Sequence, residues 1–368
     1  MSTIAKKQVK PNKGSRPTAK DVARLAGVSQ STVSRILSGD SSPFFSDQTR
    51  QKVLKVAADL NYSPNPLARA LRGKQTQLIG LIMRGINDPF LASLVSEISM
   101  QARNLGYQVV LGHAQSDPDE VLQISNVLDT RHTDGVIILG DFKEDRAAIR
   151  EILEGRRAVV AICRGDAKAE AITINSDNQF GMQALLDHLT GLGHRQLAFI
   201  DGGWAGDFKE RRKVFAQYLE DNALDIHPEW TVVDSDDPIG GYQAMQRLLS
   251  LAERATAVLA SDDIIALGAL KAAIEAGLSV PQDLSITGFD GIDLTRYVSP
   301  GLTTIRQPIE EMSRQALTLL LEIIAGKIVE TEQLIRIRPE LVVRESTGPA
   351  PMGFPARMLH NSHAAGPG

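Results

Sequence analysis

From Leu78 to Asp290 short apolar runs alternate with stretches whose apolar residues recur every three to four positions. The runs are LIGLIM (78–83), YQVVLG (107–112), GVIILG (135–140) and AVVAI (158–162), separated by helical patterns at 90–105, 118–130 and 144–154. A second series follows: ITI (172–174), LAFIDG (197–202), TVV (231–233), AVLA (257–260) and LSITGFD (284–290), with helical patterns at 178–192, 207–222, 240–251 and 263–276. A strand that is apolar on both faces must be covered on both, and the connecting helices are what can cover it. The pattern therefore predicts an α/β body with parallel sheets. Two such series in about 270 residues predict two lobes. A helix at 308–325 and strands near 334–343 follow both series, and predict crossover segments and a hinge between the lobes.

The chain begins differently. Residues 1–74 carry 14 Lys and Arg against 4 Asp and Glu, while the remainder carries 26 against 40. A basic head on an acidic body is the charge distribution of a small nucleic-acid-binding module joined to a larger domain. Within the head, Thr18–Leu37 (TAKDVARLAGVSQSTVSRIL) reads as a helix-turn-helix. Asp21–Ala26 forms an amphipathic helix with Val22, Ala23, Leu25 and Ala26 apolar. Gly27 then breaks it at a position suited to a left-handed backbone. Val28 is a buried turn residue, and Ser29 caps a second helix by accepting from an amide of its first turn. In Gln30–Leu37 the residues Val33, Ile36 and Leu37 face inward. Gln30, Ser31, Ser34 and Arg35 face outward, and short polar side chains around one arginine suit base edges in the major groove. A bare helical hairpin with a glycine turn also occurs in proteins that never meet DNA. The charge split tips the reading toward phosphate contact.

Residues 1–17, basic and with Pro11 and Pro17, are expected to be disordered. Residues 38–45 form a loop, and Ser46 caps a third helix, Asp47–Leu60, with Val53, Val56, Ala57 and Leu60 on one face. Residues 18–63 thus make an all-α head. In 64–76, Pro66–Leu71 is too short to be a stable helix alone, so this reads as a linker that folds conditionally. The body is placed at 77–346, with a first lobe at about 77–175 and 305–335 and a second at about 176–304 and 336–346. The tail 347–368, rich in Pro, Gly and Ala, is expected to be disordered. No apolar run of about 18 residues is present, so no membrane span or membrane partner is expected. No apolar stretch follows the basic N-terminus, so a cytoplasmic protein is expected. The single cysteine, Cys163, rules out an internal disulfide and a cysteine zinc cluster. No metal site or cofactor is expected.

Several of these segments together resemble the LacI/GalR family of bacterial transcription regulators. They are the head, YSPNPLARALRGKQT, IGLIMRGINDPF, INSDNQFGMQALLDHLTGLGHRQLAFIDG, RRKVFAQYL, LASDDIIALGALKAAIEAGLSVPQDLSITGFD and SPGLTTIRQP, in the family's order over about 18–346. The resemblance implies a helix-turn-helix head, a hinge helix, and a two-lobed body with the fold of periplasmic sugar-binding proteins. It places Gln30, Ser31 and Arg35 at base-reading positions. Thr18, Ser29, Thr32, Tyr62 and Asn65 fall at phosphate-contacting positions. Leu71 matches the hinge leucine that wedges into the minor groove, where an apolar wedge kinks DNA and brings more protein to it. The loop 38–45 is about two residues longer than in one familiar member, and Phe44-Phe45 is unusually apolar, which puts the packing of the third helix in doubt.

A body of this kind binds a small polar ligand between its lobes, at the carboxyl ends of strands. The candidates follow strands: Asp88 and Phe90, Arg164, Asp207 and Arg211, Asp236, Asp262, and Asp290. Arg211 aligns with the family's ligand-binding arginine. Asp88 and Leu91 depart from the usual Asn-Pro-Phe-Phe, and Asp236 stands where relatives often have an aromatic residue. Arginine offers a fixed fork of donors and a carboxylate accepts two hydroxyls, so the set suits a polyol. Several of the acids could equally be helix caps. The excess of acid leaves room for an amino sugar or another cationic ligand. An enzyme is disfavoured, because no GxGxxG opens a helix after the first strand, no serine elbow or metal trio is present, and His194 reads as a residue satisfying local hydrogen bonds. A sugar-binding protein without a DNA role is the remaining alternative. The reading that results is a sequence-specific repressor of a carbohydrate-use operon. It binds near-palindromic operator DNA as a homodimer and is controlled allosterically by a sugar-like effector. The tail has no leucine heptads, so a dimer is expected rather than a tetramer.

Overall fold

The structure is a computed structural model that describes residues 17–37, 44–62, 75–83, 85–113, 124, 128, 132–140, 158–163, 172–203, 206–327 and 333–351. Asn65, Leu71, Arg164, most of the loop 38–45 and most of the helical patterns at 118–130 and 144–154 lie outside the described residues. The chain divides into two units, Met1–Thr76 and Gln77–Gly368.

In the first unit, α1 (Ala19–Ala26), α2 (Gln30–Leu37) and α3 (Asp47–Asp59) surround one small core. The first helix starts two residues before the expected Asp21, because Thr18 serves as its cap: the Thr18 amide and hydroxyl both donate to the Asp21 carboxylate. Gly27 ends α1 in the left-handed region (φ 70°), and its amide donates to the Ala23 carbonyl. Ser29 and Ser46 cap α2 and α3, accepting from the amides of Thr32 and Thr49 at 3.1 and 3.2 Å. Val22, Ala23, Ala26, Val33, Ile36, Val53 and Ala57 are buried together. Leu25 is an exception to the expected apolar face: it is 52% exposed. At 100° per residue, Val22, Ala26 and Ala23 define one arc and Leu25 falls off its edge. Phe45 packs on this core while Phe44 is 82% exposed, so only one of the two phenylalanines serves the third helix.

The second unit holds two six-stranded sheets. The first contains β1 (Leu78–Met83), β2 (Gln108–His113), β3 (Gly135–Leu139), β4 (Val159–Ile162), β5 (Ile172–Ser176) and β11 (Leu334–Ile337), in the order β11-β5-β4-β3-β1-β2. Every pairing in it is parallel. The second contains β6 (Leu197–Asp201), β7 (Thr231–Val233), β8 (Ala257–Ala260), β9 (Ser285–Asp290), β10 (Thr303–Arg306) and β12 (Glu340–Val342), in the order β12-β10-β9-β8-β6-β7. It is parallel except for β12, which runs against β10. Alternation within strands feeds two core layers per sheet. Ile79, Leu81 and Met83 join one and Ile82 the other, while Ala198 and Ile200 are opposed to Leu197 and Phe199.

The helices are α4 (Pro89–Asn104), α5 (Asn178–Gly191), α6 (Gly206–Asp221), α7 (Pro238–Ser250), α8 (Asp263–Glu275) and α9 (Ile309–Ile324). Three crossings join the lobes: β5 to α5, β10 to α9, and β11 to β12. The ladders move the expected lobe boundaries by about two residues. Ile305 and Arg306 pair with β9 in the second sheet, and Arg336 and Ile337 pair with β5 in the first. α9 buries Met312, Ala316, Leu317 and Leu320 in the first lobe, and Ile292 of the second lobe reaches the same core.

The expected disordered tail is corrected at its start, because residues 347–351 are bound to the second lobe. His194 is wholly buried, and its Nε2 donates to the Gly348 carbonyl at 3.0 Å. Its Nδ1 pairs with Thr256 Oγ1 at 2.9 Å. The Gly348 amide donates to Ser285 Oγ and the Ala350 amide to the Leu192 carbonyl. His194 is therefore satisfied by partners distant in sequence rather than local ones. A buried imidazole and buried carbonyls need partners, and this segment supplies them.

Candidate ligand cleft and nucleic-acid interface

In the first unit the outward face of α2 is set by what its other face buries. With Val33 and Ile36 buried, Gln30, Ser31 and Arg35 are exposed and Ser34 and Thr32 are half-buried. The Ser29 hydroxyl joins those of Ser31 (2.7 Å) and Thr32 (2.8 Å) as well as capping the helix. The helix N-terminus and its hydroxyls thus form a patch able to meet a phosphate. The Arg35 guanidinium lies 5.2 Å from the centroid of the Phe45 ring, a contact that helps to steady it. Thr18 is exposed at the start of α1 and Tyr62 is half-buried against the core.

In the second unit a cavity of about 310 Å³ opens where strand ends and helix starts of both lobes meet. Asp88, Phe90, Asp207, Arg211, Asp236, Asp262 and Asp290 all line it. Two of these acids also cap helices, and a third helix start is capped by a neighbour of one of them. Asp88 caps α4, accepting from the amides of Phe90 (2.8 Å) and Leu91 (3.3 Å). Asp262 caps α8 through the Ile265 amide at 2.7 Å. At α7 the cap is Asp237, through the Gly240 amide at 2.7 Å, which leaves its exposed neighbour Asp236 at the rim. Phe90 is only 5% exposed and belongs to the first lobe's core, so it forms cavity wall rather than a free stacking platform. Phe208, half-buried on α6, also lines the cavity, with the Arg211 guanidinium 5.9 Å from its ring centroid.

Arg211 is the centre of the arrangement and is 2% exposed. Its Nε donates to Asn178 Oδ1 at 2.9 Å, and its Nη1 donates to the Ser261 carbonyl at 2.5 Å. Its Nη1 lies 3.5 Å from Asp290 Oδ1, and the guanidinium stacks 3.6 Å above the Phe289 ring. Asn178 is shared with Asp207 and Glu210, both at 2.8 Å. Glu210 pairs in turn with Arg336 of β11, so the α6 cluster reaches across to the first sheet. Asp290 sits at φ 117° and accepts from Gln307 Nε2 at 2.6 Å. Few L-residues adopt that backbone region, and such strain gathers at functional positions.

Burial raises the pKa of three carboxyls in this cluster, and mutual repulsion adds to it. Asp262 is pushed up to about 7 by desolvation and then by Asp88 and Asp236, against its amide bond and Arg211. Asp290 rises well above the ordinary range through burial, with Arg211 opposing and Asp262 and Asp263 adding to the rise. Asp88 is raised chiefly by burial, with Asp236 adding to it. Asp263 behind the cavity is wholly buried and also rises to about 7, chiefly by desolvation. It ties Thr304 Oγ1 and the Ile292 amide to the start of α8. Burial likewise pushes the Cys163 thiol up. The sequence reading missed Asn178, Ser261, Gln307, Phe208, Asp237 and Asp263. The doublets Asp236-Asp237 and Asp262-Asp263 were the only signal that could have found any of them.

A helix-turn-helix with an outward polar row, followed by a two-lobed α/β unit with a polar cleft, defines a ligand-responsive DNA-binding regulator. Comparison with known proteins agrees for both parts. Residues 18–65 match the model for bacterial regulatory proteins of the lacI family, and residues 186–347 match that of a periplasmic binding protein-like domain. The chain is 34% identical over 333 residues to the HTH-type transcriptional repressor PurR of Mannheimia succiniciproducens, covering 89% of this chain and 98% of that one. It is 33% identical over 332 residues to the ribose operon repressor of Haemophilus influenzae, again 89% and 98%. Among solved structures, the lac repressor dimer bound to operator and the anti-inducer ONPF matches with a TM-score of 0.80 and 28% identity, over 91% of this chain and all of that one. A LacI family regulator from Enterococcus faecium with bound ribose matches with a TM-score of 0.65 and 28% identity, over 74% of this chain and 99% of that one. The chain belongs to the lacI family of bacterial regulatory proteins, and its relatives are transcriptional repressors rather than enzymes. No helix among the described residues is long and apolar enough to cross a membrane.

Proposed function

We propose that this protein is a cytoplasmic, homodimeric repressor of a carbohydrate-use operon, and that a small sugar-like effector in the cleft around Arg211 and Asp290 sets its affinity for a near-palindromic operator. The observation that carries this reading is the cleft itself. A buried guanidinium with every neighbour fixed, facing carboxylates on both lobes, is a preorganised polar site on a chain that also has a helix-turn-helix. In the head, Gln30, Ser31, Ser34 and Arg35 read base edges. Ser29, Thr32, Thr18, Tyr62 and Asn65 hold phosphates, and Leu71 wedges into the minor groove. In the body, Asp88, Phe90, Arg164, Asp207, Arg211, Asp236, Asp262 and Asp290 take the effector. Occupancy changes how the lobes meet, and so biases the linker toward or away from the DNA-bound form. Linkage then requires DNA to change effector affinity by the same factor.

The experiment has two stages. Selection from random duplexes should yield a near-palindromic operator bound by the full chain and not by residues 77–368. A sugar screen by thermal shift, repeated with operator present, should then find compounds whose affinity differs between the two conditions. Equal affinity with and without operator would remove the switch. Operator binding by residues 77–368 would remove the modular head.

A further inference from the structure

We infer that Glu210 and Arg336 are positioning residues for the effector cleft: their ion pair clasps the two lobes together, and so helps to fix Arg211 and to hold the cleft closed. The inference rests on the effector-cleft reading above and concerns how that same site is held.

Asn178 is where the clasp meets the cleft, and it is wholly buried. Its Oδ1 accepts from Arg211 Nε at 2.9 Å, and its Nδ2 donates to Asp207 Oδ1 and Glu210 Oε2, both at 2.8 Å. A guanidinium only donates and an ionised carboxylate only accepts, so the amide has one allowed orientation. Turned over, it would set N–H against N–H and its oxygen against two carboxylates, in a place where water cannot repair the loss. Glu210, with Asp207, thus fixes Asn178, and Asn178 fixes the guanidinium of the cleft.

The other oxygen of Glu210 faces the first sheet. Arg336 Nη2 of β11 donates to Glu210 Oε1 at 3.2 Å. This bond closes a ring. Arg211 donates to Asn178, whose chain neighbour Asp177 donates its amide to the Ile337 carbonyl at 2.8 Å. Ile337 adjoins Arg336, which pairs with Glu210, and Glu210 adjoins Arg211. The ring joins the β5 to α5 crossing, the β11 to β12 crossing and α6. Asp177 and Ile337 extend the β5–β11 ladder on the side of the first lobe. Glu210 and Arg336 join a helix of the second lobe to a strand of the first, so parting of the lobes strains this link directly.

Burial distinguishes the links. Asn178 and Arg211 are 0% and 2% exposed, whereas the Arg336 side chain is 41% exposed. An ion pair this open to water adds little to stability and is weakened by salt. Its consequence is geometric: it is the link of the ring that solvent can break and remake. Neither Glu210 nor Arg336 is among the described residues that line the cavity, so any effect of either on the cleft passes through other residues.

The chain carries its own reporter. Cys163 is its single cysteine, lines the cavity and is 7% exposed. Burial also pushes its thiol up. A thiol so placed reacts slowly, and its modification reports the fraction of time the lobes stand apart.

The test follows alkylation of Cys163 by N-ethylmaleimide in the full, ligand-free chain, read by mass spectrometry at low and high salt. Arg336→Met and Glu210→Gln should each react about two- to fivefold faster than the wild type at low salt, the range an exposed ion pair supports. The double variant should react no faster than either single one. Arg336→Lys should stay near the wild-type rate. High salt should bring the wild type toward the rate of Arg336→Met and leave that variant unchanged. Arg314→Met breaks an ion pair of similar exposure within α9 and should not alter the rate. Unchanged rates in both single variants overturn the inference. So do additive rates in the double variant, an equal rise in Arg314→Met, or a wild-type rate indifferent to salt. The last comparison needs no substitution and decides even where a variant fails to fold. The effector-cleft reading is judged separately, by the sugar screen with and without operator. A sugar linked to operator binding, with Cys163 rates unchanged in the variants, keeps the effector and discards the clasp. The expected Cys163 rates with no linked sugar keep the clasp and discard the effector.

Discussion

Replacing Asp262 by Asn keeps the cap of α8 and removes a buried charge. Asparagine caps a helix as well as aspartate does, so the Ile265 amide retains an acceptor. What changes is the titration. Asp262 is 8% exposed, and its carboxyl is pushed from 3.8 up to about 7, chiefly by burial. As pH rises the unfolded chain gives up this proton first, while the folded chain still holds it. The stability this group contributes is therefore fully present below about 3.8 and is lost as pH rises through about 7. One proton held by the folded state alone makes stability fall by about 1.4 kcal/mol per pH unit, so the wild type loses about 2 kcal/mol between pH 5 and pH 7 from this group. The Asp262→Asn variant has no such loss. It should gain about 2 kcal/mol on the wild type across that interval, whatever constant offset the amide introduces. His188 and His194, lowered by burial, titrate nearby with the opposite sign, but both proteins carry them and they cancel in the difference. The measurement is urea unfolding of ligand-free protein at pH 5, 6 and 7, followed by fluorescence, to which the buried Trp230 of the second lobe contributes. Parallel stability curves for the two proteins would refute the reasoning, because Asp262 would then titrate alike in both states.

Arg211→Ala should cost about 3–5 kcal/mol of body stability, seen as a lower urea midpoint, because Asp290 is left buried without its cation. Arg211→Lys should not restore ligand binding, since an ammonium cannot donate to Asn178 and Ser261 while stacking flat on Phe289. Arg35→Ala should weaken binding to a selected operator by about 1–3 kcal/mol in a fluorescence-anisotropy titration and relax preference at one base pair. Equal losses on every sequence would instead make Arg35 a phosphate contact. Gly268→Ala drives a methyl into the Pro238 carbonyl oxygen, so α7 and α8 must separate. A loss of about 1–3 kcal/mol or more in urea unfolding is expected, and an unchanged midpoint would mean the two helices tolerate a wider spacing. Ending the chain after Ser346 removes the carbonyl that His194 donates to. It should lower body stability by about 1–3 kcal/mol, read as a lower thermal midpoint.

Much of this protein is legible from residues in order. Strand runs, helix periods and the caps Ser29, Ser46, Asp88 and Asp262 are local signals, because each depends on atoms within a few residues of one another. The head's three helices follow from such signals, as do the alternation of strands and helices and the outward row on α2. Candidates at strand ends follow too, since in this class of fold the carboxyl edge of a parallel sheet is where ligands meet the chain. The errors are also local in origin. Leu25 is apolar and near the right face, yet helix geometry leaves it at the edge. The Pro- and Gly-rich composition after Ser346 hides the role of Gly348, whose carbonyl and amide serve partners far back in the chain.

Tertiary structure alone decided how the candidates combine. Arg211 is held by Asn178 and Ser261, which lie 33 and 50 positions away along the chain, and by Asp290, which lies further still. Nothing in the spacing announces those partners, because helix and strand lengths and the order of strands in the sheet together determine which ends converge. The choice between Asp236 and Asp237 as cap, the withdrawal of Phe90 into the core, and the lifting of Asp262 to about 7 are of the same kind. Each depends on burial and on charges brought close by folding. Residue order determined which chemistry this chain carries. Folding determined that the acids would crowd around the buried Arg211.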